Sequence, residues 1–372
     1  MSGFSEFLKK SIDEIKEKGL YRQRVVFPPD IVDFASNDYL GLKDSRDTKE
    51  KLCKFIDKLF LGSGASALIS GYHNIQKELE EFLADFKQTE DCLVVGSGYM
   101  ANVGLIQAIA REEDVIFSDE LNHASIIDGI RLSKAKKVIY RHCDVEDLER
   151  KIKIYNVRGR RIVITDGVFS MDGDIAPLDK IVEICNRYDA VLVIDEAHST
   201  GVLGKEGRGT LNFFGIKPAE NIIQMGTLSK AVGSYGAFIC GSKLLIEYLV
   251  NKMRSVIFTT ALSPIQNFIS LENLKLLKNE EFRRKKLFEN LEFFVKKAQK
   301  LELSINYHGT PILTYIVGDE KKVIDLRDKL LEKGVFVGAV RPPTVPPGTS
   351  RIRITVSSKH SFQDIEKLLF ML

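Results

Sequence analysis

The chain has 372 residues, of which 44% are hydrophobic and 28% are charged, as in a soluble globular protein. That length exceeds one ordinary core and suggests two domains. The 54 basic and 51 acidic residues leave a net charge of +3, so charge gives no reason to propose nucleic acid or an anionic membrane as a partner.

The N-terminal segment and the cysteines bear on where the protein resides. Within residues 1–40, a helix and a linker segment are predicted, because apolar residues recur on one helical face, at Phe4, Phe7, Leu8, Ile12 and Ile15. Acidic residues fall where a signal peptide has none, so we expect neither a secretory leader nor a membrane span. The five cysteines form no C-x-x-C pair and are expected to be reduced and buried in a cytoplasmic protein.

Residues 41–265 alternate short β-rich runs with helical ones, which predicts an α/β domain with a mainly parallel sheet covered by helices. The β-rich runs are CLVV, DVIFSD, KKVIY, RIVITDG, AVLVIDEAH, NIIQMGT and GAFICGS. A mixed-charge amphipathic helix is predicted in NEEFRRKKLFENLEFFVKKAQK. Within residues 266–372, the later runs ILTYIVG, VIDLRDKLLEKG, VFVGAV, SRIRITVSS and SFQDIEKLLFML predict a smaller α+β domain.

Asp195 ends the apolar run in AVLVIDEAHSTGVLG, at the end of a strand where open α/β sheets place ligands. An Asp that merely caps the following helix is the simpler interpretation. The letters DEAH also occur in helicases, but no Walker A loop accompanies them. The turn in VVGSGYMANVG misses G-x-G-x-x-G, so a dinucleotide site is weakly indicated, although its backbone amides could still bind a phosphate.

Lys230 follows another predicted strand and lies among small residues in MGTLSKAVGSYGAFICG, where an amine nucleophile is possible. Pyridoxal phosphate (PLP) needs a lysine, an acid that keeps its ring nitrogen protonated, and a phosphate site. His198 and Ser170 could bond the ring hydroxyl, and His123 could stack on the ring. Taken singly, these three have simpler structural interpretations, such as a turn at SMDGD and a helix start at NHAS.

Seven motifs occur in order: SNDYLGL, GSGASALISG, LNHASIIDG, TDGVFSMDGDIAPL, IDEAHSTGVLGKEGRG, GTLSKAVGSYGA and RPPTVPPGTSRIRIT. Together they resemble the α-oxoamine synthases, over nearly the entire chain. The resemblance implies the PLP-dependent transferase fold type I. It also implies a large PLP-binding domain at 41–265, a small C-terminal domain at 266–372, and a homodimer whose active sites lie at the subunit interface.

The resemblance also assigns roles by position. Lys230 would be the Schiff-base lysine and the base for the substrate's α-proton, Asp195 the partner of the pyridine nitrogen, and His123 the histidine that stacks on the ring. The other matched cofactor residues are Ser170, His198 and Thr227 around the ring, Gly98 and Tyr99 near the phosphate, and Thr260 toward the neighbouring subunit's phosphate. The matched substrate residues are His123, Arg22, Thr344 and Arg353, the last for a carboxylate. Many relatives have Arg at Ala67 and His at Gln76, and no metal ligands are predicted.

The reaction that the resemblance implies joins an amino acid to an acyl thioester with loss of carbon dioxide. The RPPTVPPGTSRIRIT stretch is most similar to members that take L-alanine and a pimeloyl thioester, of coenzyme A or of a carrier protein, in biotin biosynthesis. Members that use glycine are the alternative. Outside the family, a nucleotide-binding module remains open. A scaffold without activity would lack Lys230 or Asp195, and this chain has both.

Overall fold

The computed structural model describes residues 3–28, 30–342 and 344–372. The chain separates after Val32 into a short N-terminal unit and a unit that runs from Asp33 to Leu372. This division does not separate residues 41–265 from 266–372, so the boundary between the large and small domains stays a prediction. Within the described ranges, every helix is too short or too polar to cross a bilayer.

The bounds of the elements follow the sequence patterns closely. The helices are α1 (Gly3–Glu17), α2 (Arg46–Phe55), α3 (Asn74–Lys87), α4 (Gly98–Ile109), α5 (Ala124–Leu132), α6 (Val145–Ile154), α7 (Leu178–Arg187), α8 (Thr210–Phe213), α9 (Lys243–Lys252), α10 (Arg254–Ile257), α11 (Pro264–Asn279), α12 (Glu281–Lys300), α13 (Glu320–Glu332) and α14 (Phe362–Leu369). The strands are β1 (Val32–Asp33), β2 (Asp91–Val95), β3 (Val115–Asp119), β4 (Lys136–Tyr140), β5 (Arg161–Asp166), β6 (Ala190–Asp195), β7 (Ile222–Thr227), β8 (Ala237–Gly241), β9 (Ile305–Tyr307), β10 (Ile312–Gly318), β11 (Val335–Phe336), β12 (Gly338–Val340) and β13 (Ser350–Thr355).

The N-terminal unit contains α1, the predicted amphipathic helix. Its end is set by Gly19, which has a φ of +65° and donates to the carbonyl of Lys16, while Leu20 donates to the carbonyl of Ile15. This pair of bonds satisfies carbonyls of the last turn, and glycine takes the left-handed conformation without a Cβ clash. The apolar residues of the helix are exposed.

A seven-stranded sheet forms the centre of the larger unit, in the order β2-β8-β7-β6-β5-β3-β4. Strands β7, β6, β5, β3 and β4 pair in parallel, and β8 is antiparallel to both of its neighbours. The mainly parallel sheet is therefore confirmed. Strand β6 is almost wholly apolar because both of its faces are buried. Val193 packs into the core on one face of the sheet, and Leu192 and Ile194 pack into the core on the other.

The C-terminal strands form a second, antiparallel sheet in the order β12-β13-β10-β9. This confirms the predicted change of pattern after the mixed-charge helix. That helix is α12, which buries Leu287, Leu291 and Phe294 completely, whereas Phe288 is 36% exposed at the edge of the same face. The alternating charges cover the remainder of the helix, as expected for a solvated amphipathic helix.

All five cysteines are free thiols, but the prediction that all are buried is wrong for two of them. Cys92, Cys185 and Cys240 are buried, whereas Cys53 is exposed and Cys143 is partly buried. Cys53 lies on α2, which has a single buried residue and otherwise meets solvent. Cys143 lies in the loop after β4 rather than in the strand itself.

Candidate active site

The predicted cofactor residues converge at the carboxyl edge of the central sheet. Asp195 ends β6, Lys230 follows β7, His123 stands between β3 and α5, and Ser170 lies in the loop after β5. Parallel strands end at one edge, so residues far apart in sequence meet there. The glycine turn that starts α4 reaches the same edge, because a Cβ placed on Gly98 would lie 3.9 Å from the Cβ of Thr227.

Asp195 is 4% exposed and both of its carboxylate oxygens are held by hydrogen bonds. Asn102, on α4, donates its side-chain amide to Oδ2 at 2.8 Å, and the backbone amide of Ala197 donates to Oδ1 at 2.9 Å. The interpretation of Asp195 as a cap is therefore partly right, since its carboxylate accepts a backbone hydrogen bond from the turn that follows its strand. A carboxylate has about four acceptor positions, so these two bonds leave it capacity for a further donor.

Lys230 forms a chain of polar contacts with two further side chains. Its Nζ lies 2.8 Å from Nε2 of His198, and Nδ1 of His198 lies 2.6 Å from the hydroxyl of Tyr39. Burial, together with the charges of Lys230 and Arg353, holds the pKa of His198 well below its usual value, so the imidazole is neutral. Burial also lowers the pKa of Lys230 to about 8. A free amine is therefore accessible near neutral pH.

His123 is the N-cap of α5, as the NHAS interpretation predicted. Its backbone amide donates to Oδ2 of Asp166 at 2.8 Å, and its Nδ1 lies 2.7 Å from the hydroxyl of Ser125. Burial lowers the pKa of His123, while the charge of Asp195 acts in the opposite direction. The ring is thus anchored on one nitrogen, and the charges of Asp195 and Lys230 shift its pKa in opposite directions.

The start of α4 has the features of an anion site. Ser97 caps the helix by accepting from the backbone amide of Met100, and Gly98 is the first helical residue. The hydroxyls of Thr227 and Ser229 lie 2.7 Å apart beside this turn. Backbone amides at a helix start, together with neighbouring hydroxyls, are suited to a phosphate. Tyr99 is exposed and donates its hydroxyl to Asp128 at 2.8 Å.

Arg353 lies on β13 of the second sheet and reaches the loop after β5. Its Nε donates to the carbonyl of Ser170 at 2.7 Å, and its two terminal nitrogens donate to Thr355 and Asn37. Its charge adds to the effect of burial in lowering the pKa of Lys230. The arrangement fixes a planar cation where a substrate carboxylate could approach.

Five predicted residues are exposed: Tyr99 and His123, described above, and also Arg22, Thr260 and Thr344. Arg22 belongs to the N-terminal unit, and the backbone amide of Thr344 donates to the carbonyl of Arg341 at 3.0 Å. Their roles stay predictions.

Thr260 lines a cavity of about 20 Å³ together with Ala67 and Gln76, the two positions that depart from many relatives. Gln76 donates to Glu80, while its Oε1 is buried without a hydrogen-bond partner among the described residues.

The sequence did not identify four residues that lie at this edge: Tyr39, Asn37, Asn102 and Asp166. Asp166 ends β5 as Asp195 ends β6, and the two are register partners, so the run RIVITD carried the same signal. Tyr39 and Asn37 lie within SNDYLGL. Asn102 lies one turn into α4, and only the packing of that helix on the sheet brings it to Asp195.

Comparison with known proteins identifies the family. Residues 29–372 match the model of the aminotransferase class I and II family. The chain belongs to this family. Among curated members, it is 49% identical over 370 residues to a putative 8-amino-7-oxononanoate synthase of Aquifex aeolicus (strain VF5), which covers 97% of this chain and 96% of the relative. It is 43% identical over 372 residues to 8-amino-7-oxononanoate synthase of Lysinibacillus sphaericus, covering 97% and 95%.

Solved structures of the family give the same result. A serine palmitoyltransferase from S. paucimobilis with a bound PLP–myriocin aldimine has a TM-score of 0.90 and 27% identity, covering 99% of this chain and 96% of that one. An 8-amino-7-oxononanoate synthase from Francisella tularensis has a TM-score of 0.79 and 34% identity, covering 92% and 96%. The fold is therefore that of the PLP-dependent fold type I enzymes.

Proposed function

We propose that the chain catalyses the PLP-dependent condensation of L-alanine with a pimeloyl thioester, which yields 8-amino-7-oxononanoate, carbon dioxide and the free thiol of the carrier. The near-full-length similarity to relatives named 8-amino-7-oxononanoate synthase supports this reaction. The observation that carries it is the amine of Lys230, held on a neutral histidine at the sheet edge where the Asp195 carboxylate is buried.

The residues present fit PLP. The buried Asp195 carboxylate retains acceptor capacity for a ring N–H, the α4 turn and Thr227 suit a phosphate, and Lys230 supplies the amine for covalent attachment. When bound, the cofactor supplies a protonated ring that withdraws electrons from the substrate's α-carbon. His123 would stack on the ring face, and Ser170 and His198 would bond the ring hydroxyl.

The chain's own groups handle the proton and the carboxylate. Lys230 accepts the α-proton of alanine, since its lowered pKa leaves part of the amine unprotonated near neutral pH. Arg353 binds the amino-acid carboxylate through its planar fork. Arg22 and Thr344 contact the substrates on the acyl side.

The enzyme acts as a cytoplasmic homodimer with active sites at the subunit interface. Thr260 would hold the neighbouring subunit's cofactor phosphate, and Tyr99 and Gly98 would hold the phosphate within the same chain. Thr260 is exposed in the single chain, as are the apolar side chains of Phe60, Leu61, Ile69 and Phe258, and this exposure supports a partner subunit. Free thiols fit a reducing compartment.

Carbon dioxide release tests the reaction, measured with L-alanine and glycine against pimeloyl, succinyl and acetyl thioesters at equal concentrations. Alanine with the pimeloyl thioester is expected to be fastest. One methyl group in an apolar niche is worth about 1 to 3 kcal/mol, so glycine should be slower by roughly 10- to 200-fold. Faster turnover of glycine with the acetyl thioester would replace this proposal by a glycine C-acetyltransferase within the same family.

Attachment of the cofactor is tested separately. Borohydride reduction of the protein saturated with PLP, followed by peptide mapping, is expected to place the pyridoxyl label on Lys230. A label on another lysine would refute the assignment of Lys230, whatever the outcome for substrates.

A further inference from the structure

A second cluster of chemically active side chains lies outside the candidate active site. Among the described residues, His142 and Cys143 follow β4, Asp119 ends the neighbouring β3, and Asp174 closes the loop after β5. Ligand atoms of Asp119, His142 and Cys143 all lie within 4.8 Å of one another. The proposed catalytic steps use none of these side chains.

Three donor atoms of this cluster face one another. Nε2 of His142 lies 2.6 Å from Oδ2 of Asp174 and 3.7 Å from Sγ of Cys143, and that sulfur lies 3.8 Å from the same Asp174 oxygen. Around tetrahedral zinc, Zn–N bonds of about 2.0 to 2.1 Å and Zn–S bonds of about 2.3 Å place ligand atoms roughly 3.3 to 3.7 Å apart. The 3.7 Å distance to sulfur lies within this range and the 3.8 Å distance lies just above it, whereas the third requires Asp174 to withdraw by roughly 0.7 Å.

The remaining carboxylate lies on the other side of the imidazole. Oδ1 of Asp119 is 3.0 Å from Nδ1 of His142, and the carboxylate also accepts from the backbone amides of Leu121 and Cys143. A carboxylate on Nδ1 places the proton on that nitrogen and directs the lone pair of Nε2 at a metal. The ring of Phe169 packs edge-on against the imidazole of His142, with the two ring centroids 4.4 Å apart, and further fixes the orientation of the imidazole.

Solvent reaches the cluster while its anchor is buried. The side chains of His142 and Asp174 are 24% and 19% exposed, whereas that of Asp119 is 1% exposed. Three protein ligands with access to solvent leave a fourth position for water. A Cys-His-Asp set of this kind suits zinc, which accepts sulfur, nitrogen and oxygen ligands together.

We propose that His142, Cys143 and Asp174 bind one zinc ion or a similar divalent cation, and that the carboxylate of Asp119 orients His142. On binding, the thiol proton of Cys143 and the proton on Nε2 of His142 pass to solvent, and the cation takes their place without any change of oxidation state. Asp174 belongs to the same loop as Ser170, so the cation also ties this loop to the end of β4.

Cobalt(II) is the probe, because a bound thiolate gives it a charge-transfer band and because its visible bands report tetrahedral geometry. The protein is the full chain saturated with PLP, without a polyhistidine tag, reduced with a phosphine and carrying Cys53→Ser to remove the exposed thiol. We expect one equivalent of cobalt per subunit, and zinc should displace it.

Two variants and one control identify the ligands. Cys143→Ser should abolish the charge-transfer band, and both Cys143→Ser and Asp174→Asn should weaken binding at least about tenfold. Asp172→Asn is the matched control from the same loop, because Asp172 pairs with Arg351 instead, and its cobalt affinity should stay within about twofold of the parent protein.

Some results would overturn the proposal. If the Cys53→Ser protein itself shows no charge-transfer band at excess cobalt, or retains less than about 0.1 equivalent of zinc after dialysis, the cluster is only a histidine clamped between two carboxylates. This measurement needs only the Cys53→Ser protein. The proposal can therefore be refuted even if the ligand variants fail to fold. Binding that survives Cys143→Ser unchanged would equally refute the assigned ligands.

Discussion

Replacement of Asp195 by Asn tests the electrostatic centre of the proposed site. The variant should fold, because Asn102 can turn its side-chain amide. The carbonyl of the new Asn can keep the bond from Ala197, and its NH₂ group would then face Asn102. Oδ1 of Asn102 is buried without a partner among the described residues, so after the turn it would accept from that NH₂ group. The substitution thus removes the charge while keeping the bond from Ala197 and one bond to Asn102, although the turn of Asn102 removes the bond that its Nδ2 donates to the hydroxyl of Ser125.

The loss in rate can be estimated from what the charge does. A hydrogen bond to a charged group contributes about 1.5 to 3 kcal/mol, and removal of one preorganised charge-stabilising group costs about 3 to 4 kcal/mol in the transition state. We take about 3 kcal/mol, because Asp195 is almost fully buried and little screened. Exchange of the α-proton should therefore slow by roughly 100-fold.

The assay is exchange of the α-proton of L-alanine in deuterated water, followed by proton NMR without thioester and at equal cofactor occupancy. Asp166→Asn is the matched control, because this second buried carboxylate is the register partner of Asp195 on β5. Burial and the charge of Asp195 raise the pKa of Asp166 well above its usual range, so Asp166 holds a proton more readily than an exposed carboxylate does. We expect a change below about tenfold there. Exchange at the wild-type rate in Asp195→Asn would refute the role of this charge.

Three further predictions use other groups. The rate at which PLP attaches covalently to the cofactor-free protein should level off near pH 8, because burial lowers the pKa of Lys230 to about 8; a rate still rising at pH 10 would contradict this. Burial raises the pKa of Glu80 from 4.5 to about 7, so the folded state holds its proton more tightly than the unfolded state and stability declines as pH rises from about 4.5 to 7. Glu80→Gln should remove about 3 kcal/mol of that decline in urea unfolding at pH 5 and pH 8, and an unchanged pH dependence would rule out Glu80 as its source. Arg353→Lys should raise the KM for alanine at least about tenfold, with a smaller effect on the thioester, because lysine cannot replace the planar fork; equal effects on both would argue against a carboxylate contact.

Sequence periodicity predicted the central sheet well, because strands such as β6 are buried on both faces and leave no place for polar residues. Asp195 and Lys230 were identifiable for the same reason, since Asp195 ends an apolar run and Lys230 lies three residues beyond a buried strand. The contacts made across the sheet edge could not be identified from the sequence. The hydrogen bond from Asn102 to Asp195 depends on how α4 packs, and the hydrogen bond between Tyr39 and His198 joins residues far apart in the chain.

Surface residues mark the other limit of prediction. Cys53 lies beside apolar residues in the sequence, yet its side chain is exposed on α2, because an amphipathic helix buries only one of its faces. Thr260 is exposed in a single chain, and its proposed role needs a second subunit. One sequence read alone cannot show which exposed position another copy of the chain will cover.

The strand order also bears on how the polypeptide acquires its cofactor. Among the residues that the structure describes, strand β2, which leads into the glycine turn of α4, pairs with β8 alone, through pairs that run from Asp91–Gly241 to Val95–Ala237. Contacts between segments so distant in the chain are costly in loop entropy and form slowly. Strand β8 is also what joins β2 to β7, the strand that carries Thr227. A chain truncated before β8 should therefore be unable to retain PLP.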